Sequence, residues 1–256
     1  MNRNQILNAY VAQFDKLCHV SISRRALLCA ALIGLVGSFT KGVNGMRARL
    51  MRHNLSNCAT SSLADDLDPF INAVQTKYNK LTTLAADFTQ IYNAPGERQR
   101  RESGHLLLKK PGKMRWDYTT PESKLFVSDG KWLYEYVAAE KMATRVAVKE
   151  ADDLRSAFLF LLGRGNLRRA FKRLEWASET PVTAGNRVLR MIPRRGDIRE
   201  LMVEIETTTL ALKRLVIINR NNGRSDFLFN NIRENAPAND AQFTFTPPAG
   251  VRVVEQ

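Results

Sequence analysis

Cysteine is scarce in this chain, and all of it lies near the start. The three cysteines, Cys18, Cys29 and Cys58, precede Ser61. Residues 61–256 therefore form no disulfide, present no thiolate nucleophile and offer no zinc–thiolate site. Histidine is equally sparse: only His105 follows Ser61. A Ser-His-Asp relay or a histidine metal site would have to use it, yet "GHLLLK" reads as a strand with no ligand-spaced neighbour. "GRGN" at 163–166 is Gly-rich but lacks the Lys-Ser/Thr of a phosphate-binding loop. Carboxylates pair up only at helix starts and turns, and no spacing marks a glycosidase. The expectation is a non-enzyme with no catalytic residue, no metal site and no cofactor.

Acidic residues are also short, chiefly at the N-terminus. The net charge is +14 over 256 residues. Residues 1–60 hold eight Lys/Arg against one Asp, so half of the excess sits in the first quarter. There Arg24 and Arg25 precede an uncharged apolar run over 26–39. That suits the hydrophobic region of an export signal and is short for a membrane span of roughly 20 residues. Ser23-Arg24-Arg25 also fits a twin-arginine signal, so both export routes stay open. Cleavage after "SSLA" or near Gly45 is equally open. Leu28 and Asn57 stand before Cys29 and Cys58 where lipid attachment wants a small residue, so no lipid anchor is expected. The expected organisation is a signal peptide and poorly ordered extension over 1–60, and one domain over 61–256.

In that domain, Leu67, Phe70, Ile71, Val74, Tyr78 and Leu81 form one apolar stripe at helical period over 66–82. Asp65, Asp66 and Asp68 suit its cap and dipole. The period then becomes two. Short strands read at "LAADFTQIYN", "ESGHLLLKK", "MRWDY", "SKLFV", "WLYEY" and "TRVAVK". A second helix is expected over 151–163, with "AFLFLL" apolar nearly all round, and "NLRRAF" adds a short helical piece. Strands resume at "KRLEWAS", "NRVLRMIP", "RELMVEIE", "LKRLVIINR" and "RSDFLFNNI", and "QFTFTPP" and "VRVV" close the chain. The basic run at 164–173 reads as a solvated face, or as a contact for an acidic partner or anionic headgroup. Nucleic acid is not an expected partner of an exported protein. The fold class is mainly β: an antiparallel, incomplete barrel of ten or eleven strands.

What is abundant is aromatic surface. Residues 109–136 hold two tryptophans, three tyrosines and a phenylalanine. Met114, Trp116, Tyr118, Phe126, Trp132, Tyr134, Phe227 and Phe229 are expected to face inward. They would either fill a core or wall a cavity. The segments 66–82 and 151–163 are the candidate lids, through Phe70, Val74, Phe158 and Leu161.

The motifs resemble those of the outer-membrane lipoprotein carrier (LolA) family of Gram-negative bacteria. The likeness rests on "DFTQ" at 87–90, "G-x-L-x-L-K-K-P-G-K-M-R-W-D-Y" at 104–118, "P-E-S-x-L-x-V-S-D-G-K-x-L-Y-x-Y" at 121–136 and "FTFTPPAGV" at 243–251. The resemblance implies a half-barrel of about eleven strands under a helical lid. It implies a monomeric periplasmic chaperone that takes lipoproteins from an inner-membrane ABC transporter of the LolCDE type. Their acyl chains would be shielded in an apolar cavity until transfer to an outer-membrane acceptor such as LolB. Lys110 stands where the family places a lid-closing arginine, and Met114 where it often has phenylalanine. The alternative is a lipid- or lipoprotein-sensing module of the same fold. Such sensors commonly carry a second domain, so a single domain over 61–256 favours the carrier.

Overall fold

The computed structural model describes residues 66–148 and 166–255. The expected export signal and the expected helix over 151–163, with Phe158 and Leu161, lie outside the described residues.

Helix α1 (Leu67–Lys80) buries Ile71, Val74 and Tyr78, the middle of its apolar stripe. Lys77 and Lys80 occupy its last turn, where basic groups suit the helix dipole. The cap differs from expectation. Asp66 makes no side-chain capping bond. Its carboxylate instead meets Arg187 at 3.2 Å, and that of Asp68 meets Arg168 at 2.7 Å.

Eleven strands follow in a meander: β1 (Thr83–Asn93), β2 (Arg100–Lys109), β3 (Lys113–Thr120), β4 (Lys124–Ser128), β5 (Trp132–Val137), β6 (Met142–Ala147), β7 (Phe171–Trp176), β8 (Arg187–Pro193), β9 (Ile198–Ile205), β10 (Leu212–Asn219) and β11 (Arg224–Glu234). A one-turn helix α2 (Leu167–Ala170) precedes β7, and a short β12 (Arg252–Glu255) ends the chain. All twelve strands form one sheet, in the order β12-β6-β5-β4-β3-β2-β1-β11-β10-β9-β8-β7. Two antiparallel ribbons, β1–β6 and β7–β11, are joined by the long β1–β11 pairing. The edges β7 and β12 do not pair, so the sheet is open. Only β12 is parallel to its neighbour, β6. The expected strand at "QFTFTPP" is absent. Asn239 and Gln242 form a capping box that winds Asp240–Phe243 into a 3₁₀ turn instead.

The main core lies between α1 and one sheet face. It draws on Phe88, Leu106, Trp116 and Phe126 from the first ribbon and Leu189, Leu201, Val203 and Leu215 from the second. A smaller cluster of Val188, Met202, Val216 and Ile218 sits on the outer face. At Gly104 the β2–β3 register shifts. A Cβ there would lie 1.9 Å from the Asp117 carbonyl oxygen, so only glycine permits this approach.

Candidate functional site

Strand register determines which aromatics share a wall. Phe88 on β1 pairs with Phe229 on β11 and Gly104 on β2. Trp116 on β3 pairs with Leu106 on β2 and Phe126 on β4. Five strands thus bring their large residues to one face. Phe88 packs edge-on to Trp116 and Tyr118, with ring centroids 4.9 and 4.8 Å apart. Trp116 lies 5.4 Å from Phe227, and Tyr118 lies 5.7 Å from Phe126. Met114, at the end of this row, is also buried. Six of the eight expected wall residues (Met114, Trp116, Tyr118, Phe126, Phe227 and Phe229) are therefore gathered on the inner face, all at most 7% exposed.

Trp132 and Tyr134 are not among them. Trp116 pairs with Phe126, and Phe126 with Glu135; Met114 pairs with Ser128, and Ser128 with Leu133. The inward residues of β5 are therefore Leu133, Glu135 and Val137, and the aromatics alternate outward. Tyr134 and Tyr136 pack against Phe245 at 5.2 and 5.7 Å. The Arg145 guanidinium stacks 4.3 Å over Trp132. The inner residues that sequence reasoning missed are Phe88, Leu106, Leu108, Leu133 and Val146. Leu106 and Leu108 carried the period-two signal of "HLLLKK" but were not followed to a face.

Ile71, Val74 and Tyr78 of helix α1 are buried in the same cluster as the wall residues, while Phe70 lies near the open side, 4.9 Å from Trp176. Several polar ties hold the helix. The Lys110 ammonium donates to the Tyr78 carbonyl, one of the last-turn acceptors a helix leaves unpaired. Burial lowers the Lys110 pKa from its ordinary value. The Leu212 amide donates to the Tyr78 hydroxyl at 2.8 Å. Lys77 meets the Thr209 carbonyl at 2.8 Å and Glu234 at 2.6 Å. Gln75 accepts from the Leu167 amide at 2.8 Å.

His105 is on the outer face, where Nδ1 lies 2.6 Å from Asp87; Asn231 donates to the same carboxylate at 2.6 Å. The Asn231 bond, then the His105 bond, hold the Asp87 carboxyl below its usual range. Among the described residues no group of three His, Cys, Asp or Glu side chains could hold a metal ion. No described helix is long and apolar enough to cross a membrane. A groove of about 790 Å³ is lined by charged residues such as Lys77, Glu204 and Arg214 together with Val182, Leu228, Ile232 and the wall residue Phe229.

Comparison with known proteins agrees with this picture. The profile of the family described as "Outer membrane lipoprotein carrier protein LolA" matches residues 79–246. The outer-membrane lipoprotein carrier protein of Chromobacterium violaceum is 33% identical over 180 residues, 67% of this chain and 81% of that protein. That of Pseudoalteromonas translucida is 27% identical, over 77% of this chain and 91% of its own. That of Bordetella avium is 31% identical, over 76% and 90%.

Proposed function

The chain belongs to the outer-membrane lipoprotein carrier protein (LolA) family, and from that premise we propose how it carries its cargo. It accepts lipoproteins from an inner-membrane ABC transporter of the LolCDE type, crosses the periplasm as a monomer and delivers to an acceptor such as LolB. It performs no catalysis. The observation that supports this reading is the aromatic wall of β1–β4 and β11 beneath a helix held by a few polar ties. Lipid acyl chains are the ligands such a wall suits.

Each acyl methylene buried is worth about 0.8 kcal/mol. Whole chains held in a ready-made cavity would therefore bind too tightly to pass on. In the closed arrangement the wall is packed against α1 and within itself, so cargo must first displace the helix. That opening cost subtracts from net affinity and makes release feasible. Lys110 is the proposed latch. A lysine offers a point charge to one carbonyl where an arginine would offer a planar fork of donors, so this latch rests on fewer bonds.

The test is extraction. Protein added to membranes that carry its transporter should release labelled lipoprotein in soluble, one-to-one complexes; no release would sink the carrier reading. Lys110→Ala should speed hydrogen exchange in α1 and tighten acyl-probe binding several-fold. Unchanged exchange and affinity would remove Lys110 from the mechanism.

A further inference from the structure

The inner face is not apolar along its whole length. Polar side chains cross six adjoining strands as a diagonal row: Ser225 on β11 opposite Tyr92, Gln90 on β1 opposite Glu102 on β2, Tyr118 on β3 opposite Lys124 on β4, and Glu135 on β5 opposite Phe126. All are buried, from 2% exposed at Gln90 to 9% at Glu102. The Tyr118 hydroxyl donates to Gln90 Oε1 at 2.7 Å, and Gln90 Nε2 donates to Ser225 Oγ at 3.4 Å. Lys124 donates to Glu102 and lies 5.0 Å over the Tyr118 ring. Glu135 has one carboxylate oxygen, Oε1, buried without a hydrogen-bond partner. Burial raises its carboxyl to about 8, against the pull of nearby Lys124.

This band has a definite place along the wall. On β1 the inward residues run Leu84, Ala86, Phe88 and then Gln90; on β3 they run Met114, Trp116 and then Tyr118. The apolar run on β1 is thus about 20 Å long, at roughly 3.3 Å per residue. It starts at the end of the sheet where Lys110 meets α1 and stops at the band. A methylene pushed past that point would press on hydrogen-bonded and charged groups that it can neither satisfy nor displace without cost.

We propose that the polar band is an end-stop that limits the length of acyl chain the wall accepts. The inference rests on the carrier reading and adds a chain-length specificity to it. Lys124, Glu102 and Glu135 are its specificity-determining residues. The band stays in place because Tyr118, Gln90 and Ser225 bond in series, and Lys124 bonds to Glu102, across strands that the fold holds fixed.

Chain-length selectivity tests it. The protein, in the form in which it accumulates in cells, would be titrated with saturated fatty acids of increasing length that displace a fluorescent acyl probe. Affinity should climb about fourfold per added methylene and then level off or fall. In Glu102→Leu/Lys124→Met/Glu135→Leu the climb should continue to longer chains, while Glu135→Gln should keep the wild-type limit. Replacing the ion pair as a unit leaves no stranded charge, so folding should survive; a thermal melt checks this, and Glu135→Leu alone serves if it does not. A climb with no limit in the wild type, or a limit unmoved in the apolar variants, overturns the end-stop and leaves the carrier intact. Failure of every fatty acid to displace the probe overturns both.

Discussion

Strands β3 and β5 both alternate large aromatics with smaller or charged residues, yet β3 turns Trp116 and Tyr118 inward while β5 turns Trp132 and Tyr134 outward. The two rows do different work. The inward row joins Phe88, Phe126 and Phe227 beneath α1. The outward row receives the C-terminal segment: Phe245 packs on Tyr134 and Tyr136, and Phe243 is buried close by. Asp240 is held by Lys109 at 2.7 Å and Lys113 at 2.8 Å, and Arg115 reaches the Gln242 carbonyl at 3.1 Å. An aromatic strand in this fold lines the inner face or braces the sheet from behind, and the face it presents decides which.

The strongest way to break that distinction is to truncate one tryptophan from each row. Trp116→Ala should cost about 3–5 kcal/mol in stability, the usual penalty for emptying an aromatic core position, and should abolish acyl-probe binding. Trp132→Ala, half-buried on the outer face, should cost about 1 kcal/mol and leave probe binding intact. Equal loss of binding in both would void the assignment of faces. Denaturant melts and probe titration measure the two effects.

The inward residues of β5 give a second, smaller contrast, readable through pH. Glu135 has its carboxyl raised to about 8 in the folded chain from an ordinary 4.5. The folded state thus holds a proton that the unfolded chain releases near 4.5. Its contribution to stability is complete below that value and is lost as pH rises towards 8. Glu135→Gln should therefore gain on the wild type across that window, by about 2–4 kcal/mol. Tyr134→Phe, on the outward row of the same strand, should show no such drift. Parallel melting curves for the two variants would contradict the burial of Glu135.

The smallest effect belongs to the brace itself. Phe245→Ala should cost about 1 kcal/mol and speed proteolysis within 236–255. Acyl-probe affinity should stay unchanged. A loss of affinity would tie the outer row to the site after all.

Much of the fold was legible before any coordinates. The 3.6-residue stripe of Leu67 to Leu81 located α1, and the period-two runs located all twelve strands and one more, "QFTFTPP", that does not form. "QFTFTPP" misled because alternation over so short a stretch competes with local capping, and Asn239 with Gln242 won. The site was half legible. Met114, Trp116 and Tyr118 could be grouped because they share a strand. Adding Trp132 and Tyr134 required knowing how the chain turns between Ser128 and Trp132, where Asp129 accepts bonds from the Lys131 and Trp132 amides at 2.7 and 2.8 Å.

The sequence alone determined the strands, the first helix and the family. These depend on residue type and local spacing, which a linear chain displays in full. Tertiary structure alone decided which face each strand shows. A period of two allows two equal orientations, and a one-residue change in register exchanges them. It also decided the Lys110–Tyr78 contact and the polar band from Glu135 to Ser225. Those groups lie apart in sequence and meet only through strand pairing, Lys110 and Tyr78 where β2 pairs with β1, and Gln90 and Ser225 where β1 pairs with β11.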